Sequence, residues 1–287
     1  MYKTLKEVTE YATQMNMTIG AFNTHNLEML PDMIRAAKEQ GSPIIIQTSI
    51  STAKYIGYNV LVAVVKEMAN NEMVDVCLHL DHAKDFNEIK AAIDAGYTSV
   101  MFDGSDLPFK ENIAKTKAVV DYAHAHGASV EGELGTIGGT EEGISVSEED
   151  KIYTKPEDAI EFVRLTGVDA LAIAIGTNHG QFKSKTDVNI PLLKEIHKVV
   201  ETPLVIHGGT GVKEEDYSEL INNGIRKFNV GTELLVNWTR VAKENFAETA
   251  VDKSLRYNII PSNTIVKEIV AHKINLFMNK ESKIGEK

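Results

Sequence analysis

The sequence predicts an α/β protein folded as a closed (β/α)8 TIM barrel with additional C-terminal helices. Eight short apolar segments alternate with segments of helical spacing, and this alternation implies a parallel sheet. The run Ile44, Ile45, Ile46 is continuously apolar, which is typical of a strand buried on both faces. Eight such units in roughly 250 residues fit a closed barrel better than an open sheet, and the chain has 287 residues.

The strands are predicted where apolar runs stop at polar or turn-forming residues. The eight predicted strands are residues 18–23, 43–49, 74–80, 98–103, 128–134, 168–175, 203–207 and 225–230. No internal repeat and no linker divides them. We therefore expect one domain over residues 1–287, with residues 250–287 as a C-terminal helical extension.

The helices are predicted between the strands, after a first helix at residues 5–15 that Thr4 caps. The later predicted helices are residues 26–40, 51–70, 87–95, 108–126, 155–166, 191–201, 213–222, 231–248 and 261–278. Pro31 weakens the prediction for the first turn of the second helix. Residues 135–154 are too long for an ordinary βα connection, and their glycines predict a mobile lid.

Composition narrows the class of partner. The formal net charge is −11, from 30 basic and 41 acidic residues, which argues against nucleic acid or an anionic membrane as partner. Cys77 is the single cysteine, so an intramolecular disulfide is excluded and a small buried hydrophobe is expected. The N-terminus has no apolar leader, and no window approaches ~18 apolar residues. We expect a soluble, cytoplasmic protein.

Polar side chains collect where the predicted strands end. In a barrel, function concentrates at this edge, where the strands lead into the βα loops. Nine residues obey this rule: Asn23, Ser49, His79, Asp81, Asp103, Glu133, His179, His207 and Asn229. Alternation along the strands adds that Glu131 and Glu133 share one face, where two carboxylates repel unless they are protonated or bind a metal.

Three histidines follow three different strands, namely His82, His179 and His207. Three neutral imidazoles with open coordination positions describe a catalytic zinc or a similar divalent ion. The alternative, an ordinary core or surface histidine, is preferred for the four that lie in predicted helices: His124, His126, His197 and His272. His79 is intermediate and is expected to orient the site rather than bind the metal.

Glycine clusters follow strands seven and eight. Residues 208–211 read Gly-Gly-Thr-Gly, and Gly231 precedes Thr232. Barrels commonly bind phosphate at this place through backbone N–H groups, although glycines that merely permit tight turns are the alternative. The side chain of Lys183 could add a positive charge beside this phosphate. The sequence contains neither the G-x-G-x-x-G fingerprint of dinucleotide-binding proteins nor a P-loop. A nucleotide is therefore not required, and a sugar phosphate suffices as the ligand.

Seven motifs in this order resemble the class II, metal-dependent ketose-bisphosphate aldolases. The resemblance covers nearly the whole chain, with a weaker match at the C-terminal end, and residues 22–28 and 152–154 resemble the tagatose-bisphosphate branch most. The motifs are Ala-Phe-Asn at 21–23, His-Leu-Asp-His at 79–82, Ala-Gly-Tyr-Thr-Ser-Val-Met-Phe-Asp-Gly-Ser at 95–105, Glu-Gly-Glu-Leu-Gly at 131–135, Gly-Thr-Asn-His-Gly at 176–180, His-Gly-Gly-Thr-Gly at 207–211 and Asn-Val-Gly-Thr-Glu at 229–233.

The resemblance implies a role for each matching residue. His82, His179 and His207 are zinc ligands, and Asp103 and Glu133 can hold a second or displaced metal. Asp81 is the general acid/base at the C4 oxygen, and Glu141 exchanges the C3 proton of the dihydroxyacetone phosphate half. The residues that bind the substrate are Asn23, Ser49, Gly180, Lys183, Gly208, Gly209, Thr210, Asn229, Gly231 and Thr232. A monovalent cation (Na+ or K+) is a further candidate cofactor, and a homodimer or homotetramer is expected.

The leading hypothesis is reversible cleavage of a ketose 1,6-bisphosphate, of tagatose or fructose type, to dihydroxyacetone phosphate and glyceraldehyde 3-phosphate. One departure affects the distal phosphate. Asn263 stands where the fructose-type branch carries an arginine, with Arg256 and Lys267 as nearby substitutes. The same chemistry on a ketose 1-phosphate with another distal group is therefore an alternative.

Three other functions stay open at this point. The first is Schiff-base aldolase chemistry through Lys227, which faces the barrel interior. The second is a zinc hydrolase or deaminase, although strand one lacks the His-x-His pair that those enzymes usually show. The third is a non-catalytic partner subunit of an aldolase complex, which predicts the loss of motif residues that are all present here.

Overall fold

The computed structural model describes residues 1–141, 144–146, 152–179, 187–209, 211–250 and 252–279. Its strands, numbered along the chain, are β1 (Tyr2–Lys3), β2 (Ile19–Asn23), β3 (Ile44–Thr48), β4 (Val76–Ala83), β5 (Ser99–Phe102), β6 (Ser129–Leu134), β7 (Gly138–Glu141), β8 (Ile144–Val146), β9 (Ala170–Ile173), β10 (Asn178–His179), β11 (Leu204–Ile206) and β12 (Ile225–Val230).

The helices surround these strands. They are α1 (Leu5–Gln14), α2 (Leu30–Gln40), α3 (Ile50–Ile56), α4 (Tyr58–Glu72), α5 (Phe86–Ala95), α6 (Phe109–Ala125), α7 (Pro156–Thr166), α8 (Ile190–Val199), α9 (Tyr217–Asn222), α10 (Thr232–Glu248) and α11 (Arg256–Phe277). None of the helices in the described ranges is long and apolar enough to cross a lipid bilayer.

Eight parallel strands close into a ring. The order is β2, β3, β4, β5, β6, β9, β11 and β12, and β12 pairs with β2 again. Each neighbouring pair is parallel, so all eight C-terminal ends lie at one mouth of the barrel. The predicted (β/α)8 barrel with extra C-terminal helices is confirmed. The division of the chain into domains stays a prediction.

Helix α1 closes the opposite mouth. Thr4 and Glu7 form a capping box at its start, and Leu5, Val8 and Ala12 are buried against the barrel interior. The same buried apolar cluster also contains Met17, Ile19, Ala21, Ile45, Cys77, Ala170, Ala172 and Val205. Cys77 is a buried apolar residue there, as its place in the sequence predicts. One end of the barrel is therefore apolar and closed, and the polar side chains lie at the other end.

Several predicted element boundaries differ from the structure, and the long segment 135–154 contains strands that were not predicted. The helix predicted at 51–70 is two helices, because Gly57 adopts a φ of 102° between α3 and α4. The strand predicted at 74–80 continues to Ala83. Residues 135–154 contain an antiparallel hairpin, β7–β8, and β7 also pairs with β10. The last helix begins at Arg256 rather than at Pro261, which lies inside it.

Pro31 did not disrupt its helix. It stands in the first turn of α2, where its missing N–H has no intrahelical partner in any case. A short 3-10 helix, Leu27–Met29, precedes that turn. The predicted helix 26–40 is therefore present, as a 3-10 helix over Leu27–Met29 followed by the α-helix Leu30–Gln40.

Candidate active site

The end of β4 is distorted where the site begins. His82 has a φ of 47°, a left-handed conformation that is uncommon for a bulky side chain. The register between β4 and β5 shifts between Leu80 and Ala83, so the strand bulges at this point. Such strain persists only where surrounding contacts hold it, and it commonly marks functional sites. The bulge places the neighbouring Asp81 and His82 side chains together at the mouth.

Two imidazoles meet there. Nε2 of His82 lies 2.8 Å from Nδ1 of His207, and the two rings are edge to face at 4.6 Å. Ligand atoms of Asp81, His82 and His207 all lie within 4.8 Å of one another. Two nitrogens and a carboxylate oxygen facing a common point are a donor set that suits zinc. The residues present therefore fit a divalent cation.

A second cluster adjoins the first. His82, Asp103 and Glu133 also have ligand atoms within 4.8 Å of one another. Nδ1 of His82 is 3.1 Å from Asp103 Oδ2 and 3.9 Å from Glu133 Oε2. This cluster lies on the other side of the same imidazole ring. It could hold a second ion or orient His82 toward the first.

The two carboxyls of this cluster differ in ionisation. Burial raises the pKa of Glu133 well above its usual value, and the negative charge of Asp103 adds to the effect. Burial also opposes the ionisation of Asp103, but its hydrogen bond to His82 and the bonds from Ser105 hold its pKa below the usual range. Among the residues that the structure describes, Glu133 Oε2 is buried without a hydrogen-bond partner. An orphaned carboxylate oxygen beside a second carboxylate again suits a cation.

Three side-chain amides hold Asp81. Gln47 donates to Oδ2 at 3.1 Å and Asn23 donates to the same oxygen at 3.3 Å. Asn229 donates to Oδ1 at 3.4 Å. Asp81 is 2% exposed and has its carboxylate beside the two imidazoles. A carboxylate held in this way can accept a proton from a group at the mouth and return it.

Gln47 is a residue that the sequence reasoning missed. It is fully buried, and besides Asp81 it donates to Asn23 Oδ1 at 2.7 Å. The signal was present in the sequence. Gln47 is a polar residue directly after the apolar run of β3, and alternation puts it on the same inward face as Ile45.

Lys227 is fully buried and forms an ion pair. Its Nζ lies 2.9 Å from Glu131 Oε2 and donates to Asn229 Oδ1 at 2.7 Å. A Schiff base requires a neutral amine with a free lone pair. An ammonium group paired in this way has no such lone pair, so the geometry argues against Schiff-base chemistry.

His79 is a buried support, as expected. Its Nδ1 bonds to Ser99 Oγ at 2.7 Å and its Nε2 lies 3.6 Å from Glu131. Burial, with the positive charge of Lys227, lowers the pKa of His79 to about 3. The ring is therefore neutral inside the barrel.

The glycines after β11 and β12 allow close approach of the backbone. A Cβ on Gly209 would lie 2.0 Å from the ring of Phe228, and one on Gly231 would lie 2.8 Å from Asn23 Oδ1. Gly208 has a φ of 64°. Thr232 begins α10, whose N-terminus faces this part of the mouth. Ser49 instead caps α3 by accepting from the Thr52 N–H.

Several predicted residues are not tested by the side chains described. His179 is placed in β10, paired with Gly139, and Glu141 ends β7, but only their backbones are described. Gly180, Lys183 and Thr210 lie outside the described residues. The third histidine ligand therefore stays a prediction.

A family model described as "Fructose-bisphosphate aldolase class-II" matches residues 3–282, nearly the whole chain. The chain belongs to the class II fructose-bisphosphate aldolase family. Membership of this aldolase family implies lyase activity. It agrees with a carboxylate and two imidazoles at the mouth of the barrel.

Solved structures of aldolases resemble this chain over their full length. The YdjI aldolase from Escherichia coli K12 is 34% identical, with a TM-score of 0.85 and coverage of 96% of this chain and 97% of that one. A putative fructose-1,6-biphosphate aldolase from Coccidioides immitis is 28% identical, with a TM-score of 0.87 and coverage of 96% of each chain. Fructose-bisphosphate aldolase from Campylobacter jejuni is 22% identical, with a TM-score of 0.81 and coverage of 96% and 94%, and supports the fold alone.

Proposed function

We propose that this class II aldolase is zinc-dependent and cleaves a ketose 1,6-bisphosphate, of tagatose or fructose type, to dihydroxyacetone phosphate and glyceraldehyde 3-phosphate. The observation that carries the proposal is the convergence of His82 Nε2, His207 Nδ1 and the Asp81 carboxylate at the mouth of the barrel. We assign the third ligand position to His179, which lies on β10, the strand that follows the barrel strand β9 in the chain. Asp103 and Glu133 would hold a second or displaced ion.

Asp81 is assigned the proton transfer. Cleavage between C3 and C4 requires removal of the C4 hydroxyl proton, and condensation requires its return. Gln47, Asn23 and Asn229 hold the carboxylate in place for both directions. Bound zinc would act as a Lewis acid that stabilises the negative charge developing on the ketone half.

The phosphate of the ketone half is assigned to the loops after β11 and β12. Gly208, Gly209 and Gly231 bring backbone close to the mouth, and the N-terminus of α10 at Thr232 favours an anion. Asn23, Ser49, Gly180, Lys183, Thr210 and Asn229 complete this assignment. Glu141 would exchange the C3 proton. A monovalent cation beside the phosphate stays a prediction.

The contacts of Asn263 favour a second candidate substrate class. Its Oδ1 accepts from Trp238 Nε1 at 2.9 Å, so its carbonyl is engaged inside the protein. Lys267 is paired with Glu39, and Arg256 is exposed and lies over the ring of Tyr257. These contacts occupy the residues that could replace a distal-phosphate arginine. A ketose 1-phosphate with a different distal group is therefore the second candidate.

A substrate panel tests the choice. Tagatose and fructose 1,6-bisphosphates would be compared with ketose 1-phosphates of equal length, with and without a charged distal group, by following aldehyde release. We expect the highest kcat/KM for one bisphosphate. Equal use of a ketose that lacks the distal phosphate would reject the bisphosphate assignment. Full cleavage after thorough treatment with EDTA would reject the metal mechanism.

We further propose a homodimer or homotetramer located in the cytoplasm. Exposed apolar side chains lie on the C-terminal helices, which suits a contact between copies. They are Leu235, Val236, Phe246, Tyr257 and Ile260. A non-catalytic subunit would be expected to have lost Asp81, His82 or His207, and all three remain.

A further inference from the structure

A buried ion pair at the centre of the barrel joins the two halves of the site. Glu131 on β6 and Lys227 on β12 are both fully buried, with Oε2 and Nζ 2.9 Å apart. Neither residue faces the mouth as a ligand or a proton carrier. Outside the pair, Glu131 contacts His207 and, at 3.6 Å, His79, whereas Lys227 donates to Asn229.

The first arm runs from Glu131 to the metal side. Glu131 Oε1 lies 2.7 Å from Nε2 of His207. An ionised carboxylate can only accept hydrogen bonds, so the Nε2 of His207 must carry the proton. The lone pair of His207 is then on Nδ1, which is the atom that faces His82 at 2.8 Å. The carboxylate thus selects the tautomer that can ligate a cation.

The second arm runs from Lys227 to the proton carrier. An ammonium group can only donate, so the Asn229 atom that it contacts at 2.7 Å must be the carbonyl oxygen. The NH2 end of the Asn229 amide is then turned toward Asp81 Oδ1, at 3.4 Å. The ammonium thus selects the amide orientation that supports an ionised Asp81.

We propose that Glu131 and Lys227 are positioning residues whose opposite charges set the donor and acceptor directions on both sides of the site. The negative member directs the His207 lone pair toward the metal position, and the positive member directs the Asn229 amide toward Asp81. Each charge is held in the barrel by the other. This role rests on the proposed function for its metal and its proton transfer.

The geometry of Glu131 agrees with this role. Its carboxylate lies between two donors, with Lys227 Nζ 2.9 Å from Oε2 and His207 Nε2 2.7 Å from Oε1. The burial of Lys227 is complete, and among the described residues its ion pair is with Glu131. Removing one partner would leave a buried charge unpaired, which is strongly destabilising.

The experiment therefore replaces both charges together. The double variant Glu131→Leu/Lys227→Met has no charge and no acceptor for His207, and neutral replacement of a buried pair is often tolerated. The variant Glu131→Gln/Lys227→Met keeps an amide that can still accept. Thr166→Ala is the matched control, because it removes another buried polar contact, the hydrogen bond to the Phe162 carbonyl within α7, away from Glu131, Lys227 and their neighbours. Zinc affinity is measured by competition with a chromophoric chelator, and the visible spectrum of the Co2+-loaded protein reports ligand geometry.

We expect Glu131→Leu/Lys227→Met to bind zinc about 10- to 100-fold more weakly and to change the Co2+ spectrum. The Gln-containing variant should fall between it and the wild type, and Thr166→Ala should bind zinc as the wild type does. With zinc saturating, the double variants should lose kcat while KM is retained. Wild-type zinc affinity and Co2+ spectrum in a folded Leu/Met variant would overturn the proposal.

A measurement on the unaltered protein covers the case in which the double variants do not fold. Long-range proton–nitrogen NMR of the zinc-loaded wild type reports the tautomer of His207. Protonation at Nε2 is expected, and protonation at Nδ1 overturns the proposal. These readouts need no substrate. Failure of every ketose to be cleaved would therefore reject the proposed function, whereas unchanged metal binding rejects this inference alone.

Discussion

His79 and His82 lie on one strand, three residues apart, yet have different chemistry. His79 is fully buried between Ser99 and Glu131, whereas His82 stands on the bulge that ends β4 and meets His207 at the mouth. Burial removes the water that would solvate an imidazolium, so the first ring is held neutral. The second ring has a partner nitrogen and carboxylates at hand. Depth along the strand therefore separates the buried ring of His79 from the ring of His82, which we propose as a metal ligand.

The neutrality of His79 predicts a pH dependence of stability. Its pKa is lowered from 6.5 to about 3 in the fold. Below pH 6.5 the imidazole of His79 binds a proton in the unfolded chain but not in the folded protein. The free energy of unfolding therefore falls as the pH is lowered. Between pH 6.5 and 5 this amounts to about 1 to 2 kcal/mol. Chemical denaturation of the metal-free protein should show that the His79→Asn variant loses this part of the slope.

Ser99→Ala is the matched control for that measurement. It removes the hydrogen bond to His79 but leaves the imidazole to titrate. Its free energy of unfolding should be lower at every pH, with the wild-type slope retained. An unchanged slope in His79→Asn would show that the buried ring is not its source.

Asp81 carries the sharpest prediction at this scale. Asp81→Asn keeps the size of the side chain but removes the carboxylate to which we assign the proton transfer. We expect kcat to fall by about 10²- to 10⁴-fold, with the protein folded and the substrate still bound. Steady-state cleavage kinetics measure this. Asp121→Asn, the same change at an exposed position on α6, should leave kcat unchanged, and retention of kcat in Asp81→Asn would remove Asp81 from the mechanism.

At the scale of elements, the two mouths of the barrel differ: one is filled by apolar side chains and the other is lined by polar ones. Helix α1 fills one mouth with Leu5, Val8 and Ala12, and the loops after β4, β11 and β12 bring the polar groups to the other. The apolar core lies between them. We therefore expect that stability and catalysis can be altered independently.

The cap of α1 tests this separation. Thr4 accepts from the Glu7 N–H at 3.2 Å, and Glu7 accepts from the Thr4 N–H at 2.7 Å. Thr4→Ala should lower the free energy of unfolding by about 1 kcal/mol, because the backbone N–H of Glu7 in the first turn loses its hydrogen-bond acceptor. Thermal or urea unfolding measures this, and kcat should not change. Thr264→Ala, on the exposed side of α11, should stay within about 0.5 kcal/mol. A loss of kcat in Thr4→Ala would contradict the separation.

At the scale of the molecule, we expect the barrel to fold without the proposed metal. The two apolar clusters hold the strands and helices together, and the metal position lies beyond them at the mouth. We expect chelation to abolish cleavage while the far-UV circular dichroism spectrum is retained. Zinc should then raise the stability by about 4 kcal/mol at a free concentration 1,000 times its Kd. Unfolding on chelation would instead identify a structural metal.

Much of this protein was determined by local sequence. Alternating apolar runs and helical segments predicted the barrel, because each strand buried on both faces needs continuous apolar residues. The alternation within strands predicted that Glu131 and Lys227 point inward. Element ends were predicted less well. Gly57 breaks a helix and β4 runs past residue 80, because a single φ value and a bulge depend on what packs around them.

The partners of the inward residues were decided only by the tertiary structure. His82 and His207 are 125 positions apart in the chain, and their nitrogens meet because the ring of strands closes. The same closure joins Lys227 to Glu131 and turns Gln47 toward Asp81. Sequence determines which face of a strand a side chain occupies, since that follows from the pleat. Distances across a barrel depend on the register of every strand around it, and no local pattern contains that register.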